Sequence, residues 1–237
     1  MTSAVQNSRI LEIRSGRCTA SESGWAHIEC GSDLPQVPVL LETRLAMELK
    51  AQDRCVDLRE ISQLVLRDMG AVLRIFHRAA KENPSPEDRP ARIEDCISNL
   101  GLQSCLEALS SDGAGSGICS SDLIETWQHA KEVAESCRQL ASEPTATANP
   151  EEAHLVGLFH QLYSLPALFG WGALNSTPKA AALCGLRMAE DWSLPTCVLD
   201  YFREMENRAR EQRWSRIVQS AHEMGCGSHS DETSVEI

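Results

Sequence analysis

The chain has 237 residues, of which 42% are hydrophobic and 24% charged, and its formal net charge is −12. These proportions are typical of ordinary globular proteins and exclude a wholly disordered, collagen-like or small disulfide-stapled chain. The net charge disfavours non-specific binding to nucleic acid or to an anionic membrane, because both are polyanions that repel an acidic protein. We therefore expect no nucleic-acid partner and no membrane partner.

The compartment is predicted from what the sequence lacks. The first residues have no apolar core typical of a signal peptide, and no later stretch has the roughly 18 uninterrupted apolar residues of a membrane helix. We predict a cytoplasmic protein. Its ten cysteines form no CxxC pair, and several fall in the apolar phase of helical patterns, which favours buried, reduced thiols. Cys226 and His229 have CxxH spacing, but the absence of a second ligand pair argues against a zinc site there.

Strand signals occur only near the start of the chain. The segments RILEIRSGR (9–17) and WAHIEC (25–30) flank a turn-like stretch, and either a small hairpin or an irregular arm fits them. We assign residues 1–33 to an N-terminal extension and residues 34–225 to one helical domain. The Gly/Ser-rich residues 226–237 are predicted to be a disordered tail.

From residue 34 onward the sequence predicts one helix after another. Asp57 and Glu60 have the spacing of a capping box at the start of a helix, and Gly101 is predicted to separate two helical segments. Asn149 is placed to cap a later helix that has Pro150 at its first position. The fold class is therefore all-α, a compact bundle of about nine to eleven helices.

Six segments, read in order, carry a family resemblance. They are the Leu-Pro opening LPQVPVLLETRLAMEL (34–49), DLREISQLVLRDMGAVLRIFHRAA (57–80), RIEDCISNLGLQSCLEAL (92–109), WQHAKEVAESCRQLA (127–141), AHLVGLFHQLYSL (153–165) and AALCGLRMAEDWSLPTCVLDYF (181–202). Together they resemble the HDOD module, a divergent branch of the HD phosphohydrolase superfamily found in bacterial signalling proteins. The resemblance implies an all-helical fold of that superfamily.

The resemblance also identifies a former metal site. HD hydrolases hold a divalent cation with a histidine, an adjacent His-Asp pair and a distant aspartate, and these positions fall on His129, His160, Gln161 and His222. An amide at position 161 removes a negative charge from the ligand set, so the resemblance implies that hydrolysis is lost and that the site is vestigial, without metal or other cofactor. Three histidines are also a zinc-binding set, and that alternative stays open.

The residues alone favour structural roles for these histidines. His129 lies beside the apolar stripe of its helix and His160 is in phase with Ala153 and Val156, which predicts packed, hydrogen-bonded imidazoles. His77 and His154 are predicted to lie on the surface.

The sequence favours a signalling function over an enzymatic one. It contains no GxxxxGK[ST], GxGxxG after a strand, GxSxG or HExxH motif. The resemblance implies a non-catalytic regulatory domain in a bacterial pathway, whose partner is a signalling protein or a small-molecule or nucleotide ligand. The alternatives are a metal-dependent phosphohydrolase acting on nucleotides or cyclic dinucleotides, and a cyclic-dinucleotide receptor. The oligomeric state is not predicted.

Overall fold

A computed structural model describes most of the helical domain. The described residues are 37–53, 55, 57–85, 87, 89–110, 121–169, 177–207 and 212–227. Regular secondary structure in these ranges is helical throughout, which confirms the all-α prediction. The predicted hairpin or arm in residues 1–33 lies outside the described residues, as do residues 228–237 of the predicted tail.

The helices follow one another with short connections. They are α1 (Leu41–Ala51), α2 (Leu58–Val65), α3 (Met69–Glu82), α4 (Ile93–Ser110), α5 (Ser121–Ala141), α6 (Pro150–Phe159), a 3₁₀ turn (Leu162–Ser164), α7 (Leu165–Leu168), α8 (Pro178–Asp191), α9 (Thr196–Asn207) and α10 (Arg213–Gly227).

Local sequence signals set several helix ends. The Asp57 side chain accepts from the backbone N–H of Arg59 at the start of α2, as predicted, but Glu60 pairs with Lys50 of α1. Asn149 caps α6 through the backbone N–H groups of the next two glutamates, with Pro150 at the first position.

Gly101 divides α4 into two helical segments, as the sequence predicts. Its backbone has φ 74° and ψ 158°, a conformation that a residue with a Cβ adopts only under strain. The chain changes direction there without a loop.

A carboxylate buried between α1, α3 and α5 joins the first half of the domain. Asp68 caps α3 by accepting from the backbone N–H groups of Gly70 (2.9 Å) and Ala71 (3.3 Å). It also accepts from the Leu40 N–H (2.8 Å), just before α1, and from the Trp127 indole N–H (3.1 Å) on α5. We call Asp68 and these four donors the Asp68 junction. Burial raises the pKa of the Asp68 carboxyl, while the donors act in the opposite direction because they stabilise the anion.

Helices α5 and α6 pack at very short range. A Cβ on Gly157 of α6 would lie 2.6 Å from the Cα of Ala134 and 2.9 Å from its nitrogen, both on α5. Because those atoms are backbone, they cannot move aside as a side-chain tip can. The absence of a side chain at residue 157 therefore sets the spacing between the two helices.

The prediction that His154 lies on the surface is wrong. Its residue is 7% exposed, and Nε2 lies 3.0 Å from the carbonyl oxygen of Leu66. The physical reason is that α6 is buried on every side from Ala153 to Phe159, so no face of this helix is available to solvent. His77 on α3 is half-buried, with Nε2 buried and without a hydrogen-bond partner.

The last helix is fixed to the bundle at its start. The Glu204 carboxylate of α9 accepts from the backbone N–H groups of Trp214 (3.0 Å) and Ser215 (2.9 Å) in the first turn of α10. Trp214, Val218 and Ala221 are buried, and α10 packs against α5, α6 and α9. This face of α10 turns its next residue, at position 222, toward α5 and α6.

Two further observations bear on the sequence predictions. Cys96, Cys105, Cys137 and Cys197 are free and buried, in agreement with the prediction of reduced core thiols, and burial raises the pKa of each. Among the helices that the structure describes, none combines the length and the apolar character needed to cross a membrane.

Candidate functional site

Three histidines from separate parts of the sequence meet inside the bundle. His129 lies on α5, His160 immediately follows α6, and His222 lies on α10. One ring nitrogen from each lies within 4.8 Å of the ring nitrogens of the other two. We call these three residues the histidine cluster. The sequence assigned all three to a former metal site, and the structure brings them together.

The rings form a compact triangle. The centroids of His129 and His222 lie 5.1 Å apart with the rings nearly parallel, and His160 meets both edge-on, with centroid distances of 5.2 Å to His129 and 4.9 Å to His222. His160 is 3% exposed, and the other two are half-buried. The cluster therefore has one deep member and two members nearer the surface.

His160 is oriented by its own helix. Its Nδ1 lies 2.6 Å from the carbonyl oxygen of Gly157, which can only accept, so Nδ1 carries the proton and donates. In a neutral ring this leaves Nε2 as an unprotonated lone pair. Nε2 is buried and has no hydrogen-bond partner among the described residues. The predicted fully hydrogen-bonded imidazole is therefore wrong for this nitrogen.

The surroundings keep the cluster uncharged near neutral pH. Burial lowers the pKa of His160 to about 3, and the nearby rings of His222 and His129 lower it further in part, against the hydrogen bond to Gly157. The pKa of His222 is also lowered, by burial and then by His129. Close packing of three imidazoles disfavours protonation because each added positive charge repels the next.

No acidic side chain completes the cluster. Among the described residues, the group of possible metal ligands contains the three histidines and no aspartate, glutamate or cysteine. Gln161, at the position of the superfamily's aspartate, is half-buried, and its carbonyl oxygen accepts from the Ser164 hydroxyl at 2.7 Å. The donor set therefore does not fit the carboxylate-bound cation that the resemblance implies. It fits a single ion that prefers nitrogen ligands.

Larger cavities lie away from the cluster. One cavity of about 490 Å³ is lined by residues of α1 and α2, including Leu49 and Arg67. A second of about 490 Å³ lies between the end of α5 and the start of α10, next to Arg213 and Arg216. Neither is lined by a histidine of the cluster. The Cys226 and His229 side chains are outside the described residues.

Comparisons with known proteins agree with the sequence resemblance. A family model described as the HDOD domain matches residues 34–169. Two crystal structures of the MmoQ response regulator from Methylococcus capsulatus (strain Bath) are similar in fold. One gives a TM-score of 0.61 at 19% identity and covers 80% of this chain and 84% of that one. The other gives 0.62 at 19% identity and covers 83% and 88%. No curated protein matches the chain.

Proposed function

Because the chain belongs to the HDOD domain family, we propose that it is a non-catalytic signalling domain that binds a protein partner or a ligand in a bacterial regulatory pathway. The family and the fold of a response regulator support a signalling role. The non-catalytic part of the proposal is argued from the histidine cluster.

The composition of the histidine cluster carries the proposal. Hydrolysis of a phosphoester by a metal site requires an activated water, charged groups that neutralise the phosphoryl oxygens, and a proton donor for the leaving group. The cluster supplies imidazoles alone from the described residues, and position 161 offers an amide that neither ionises nor transfers a proton at neutral pH. The groups for the second and third requirements are not in the cluster.

An enzymatic assay tests this proposal. The full chain is incubated with p-nitrophenyl phosphate, bis-p-nitrophenyl phosphate and cyclic dinucleotides, each with added Mg²⁺, Mn²⁺ or Zn²⁺. We expect rates equal to those of the His160→Ala variant. Metal-dependent turnover that disappears in that variant contradicts the proposal and supports the alternative of a phosphohydrolase.

A binding measurement separates the two non-catalytic roles. A ligand that binds the folded state alone must raise the midpoint of thermal unfolding. A cyclic dinucleotide that raises the midpoint and is recovered unchanged identifies a ligand receptor. Its absence leaves a protein partner as the expected binding target, and that partner is sought by crosslinking in the source cell.

A further inference from the structure

The sequence leaves two alternatives for the histidine cluster, a vestigial site and a three-histidine zinc site. The structure adds the positions of the ring nitrogens. We infer that His129, His160 and His222 bind one divalent ion of the zinc group (Zn²⁺, Co²⁺ or Ni²⁺) and that the ion ties α10 to α5 and α6. This inference rests on the geometry of the cluster and goes beyond the proposed signalling function.

The first argument is the free nitrogen of His160. A buried polar atom without a partner is uncommon, since losing water without gaining a hydrogen bond costs about 1 to 3 kcal/mol. Nε2 of His160 is such an atom, and it lies in the cluster with the other two rings around it. A metal ion provides the missing partner for a lone pair.

The second argument is the hydrogen bond on the other side of the same ring. Histidines that bind metals generally donate their second N–H to a carboxylate or a backbone carbonyl, which fixes the tautomer and the ring orientation. The Nδ1 of His160 does so to the Gly157 carbonyl at 2.6 Å. Gly157 is itself fixed by its contact with the α5 backbone at Ala134. The ring is therefore held in place before any ion arrives.

The third argument is the spacing. Ligand nitrogens of a tetrahedral zinc site lie about 3.4 Å apart when the bonds are about 2.1 Å long. The cluster nitrogens are within 4.8 Å of one another, and His129 and His222 are half-buried, so small rotations of these two side chains close the difference. Three histidine ligands leave a fourth position open for water or an anion.

The choice of ion follows from the donors. Neutral imidazoles suit zinc, nickel, copper and cobalt, whereas magnesium and manganese prefer oxygen ligands. No carboxylate of the described residues joins the cluster, so binding of Mg²⁺ would have no charge compensation. We therefore expect selectivity for the zinc group over Mg²⁺ and Mn²⁺.

The test is metal binding by the full chain after removal of metals with a chelator. Zn²⁺ is titrated calorimetrically and Co²⁺ is followed by its visible absorption, each in the presence of millimolar Mg²⁺. We expect one ion per chain, a cobalt spectrum of low-symmetry four- or five-fold coordination, and slower amide exchange in α10 when Zn²⁺ is bound. His129→Gln and His222→Gln should each weaken binding at least tenfold.

Two controls separate this site from other histidines. His77→Gln removes a ring that also has a buried, unpartnered Nε2 but lies outside the cluster, so zinc binding should not change. Cys226→Ser combined with His229→Gln removes the CxxH spacing and should also leave binding unchanged.

Three results would overturn the inference: no stoichiometric binding of Zn²⁺ or Co²⁺, binding that survives both cluster variants, or binding lost in the tail variant alone. His129→Gln and His222→Gln change half-buried residues, so circular dichroism can verify that they fold. Phosphoester turnover by the zinc-loaded chain would contradict the proposed function and leave the metal site standing. Absence of zinc would have the opposite consequence.

Discussion

The Asp68 junction and the histidine cluster are both polar groups buried at contacts between helices, yet they differ in how their hydrogen-bonding capacity is met. Asp68 accepts from four N–H groups, which come from the segment before α1, from α3 and from α5. His160, buried just as deeply, has one nitrogen bonded to its own helix and the other without a partner.

The difference separates a polar group that holds the fold together from one that is available to a ligand. A buried acceptor with all its donors stabilises a single arrangement of helices, because any other arrangement leaves those donors unpaired. A buried lone pair without a donor costs free energy in the protein alone, and it regains that free energy when an ion or a ligand binds. The predictions below measure this contrast by stability.

The largest effect is expected for Asp68→Ala. The substitution leaves the N–H groups of Leu40 and Trp127 and the first turn of α3 without an acceptor, so the free energy of unfolding should fall by about 4 kcal/mol. Urea denaturation followed by circular dichroism measures the change, and Asp68→Asn gives a milder variant if the alanine variant does not fold.

The matched control is Asp57→Ala. Asp57 also caps a helix, but it is exposed and accepts within α2. Its loss should cost about 1 kcal/mol. Equal losses for the two aspartates would contradict the view that Asp68 joins separate helices.

The next effect is expected for Gly157→Ala. The added methyl group would meet the α5 backbone, so the two helices must separate, at a cost of about 2 kcal/mol. Since His129 and His160 lie on either side of this contact, zinc affinity should fall in the same variant. Thermal unfolding with and without Zn²⁺ measures both effects.

Gly225→Ala is the control for the glycine substitution. Gly225 lies on α10, and a Cβ there meets nothing within 4 Å. Alanine should raise stability by up to about 1 kcal/mol because it favours the helix. A loss of stability at Gly225 comparable to that at Gly157 would show that the helix spacing is not the cause.

A smaller effect is expected for His160→Leu, measured with a chelator present. The variant loses the hydrogen bond to Gly157 but also removes a buried nitrogen without a partner, so stability should remain within about 1 kcal/mol of the original. Zinc should no longer raise the unfolding midpoint. A loss as large as that of Asp68→Ala would mean that His160 holds the fold together rather than waiting for a ligand.

The smallest effect is expected at an exposed ion pair. Arg92, just before α4, binds the Glu151 carboxylate of α6 through two nitrogens, one at 2.7 Å, and both side chains are about half exposed. Arg92→Gln should lower stability by about 0.5 kcal/mol at low salt, and less at high salt because ions screen the attraction. A large, salt-independent loss would show that exposed pairs contribute as much as the buried junction.

Features that depend on neighbouring residues could be predicted from the sequence. The caps at Asp57 and Asn149 and the break at Gly101 each follow from a few adjacent residues, because a cap or a positive φ is decided within one turn of backbone. The family resemblance also named His129, His160 and His222, although the resemblance placed His222 less securely than the other two.

Features that depend on distant residues could not be predicted in this way. His154 was assigned to the surface because its helix has no visible polar face to contradict a charged or neutral ring. Glu204 has the spacing of a surface ion pair, yet it caps α10 ten residues later. No local signal distinguishes a carboxylate that points to solvent from one that meets the next helix.

The sequence by itself determined the all-helical class, the family, several helix ends and the identity of the histidines, because periodicity, caps and motifs are written in consecutive residues. The tertiary structure alone decided which polar atoms are satisfied. Trp127 reaches Asp68 across 59 positions of chain, and the rings of residues 129, 160 and 222 meet only when three helices pack. A hydrogen bond or a ligand set depends on distances in space, and these are fixed only when the core closes.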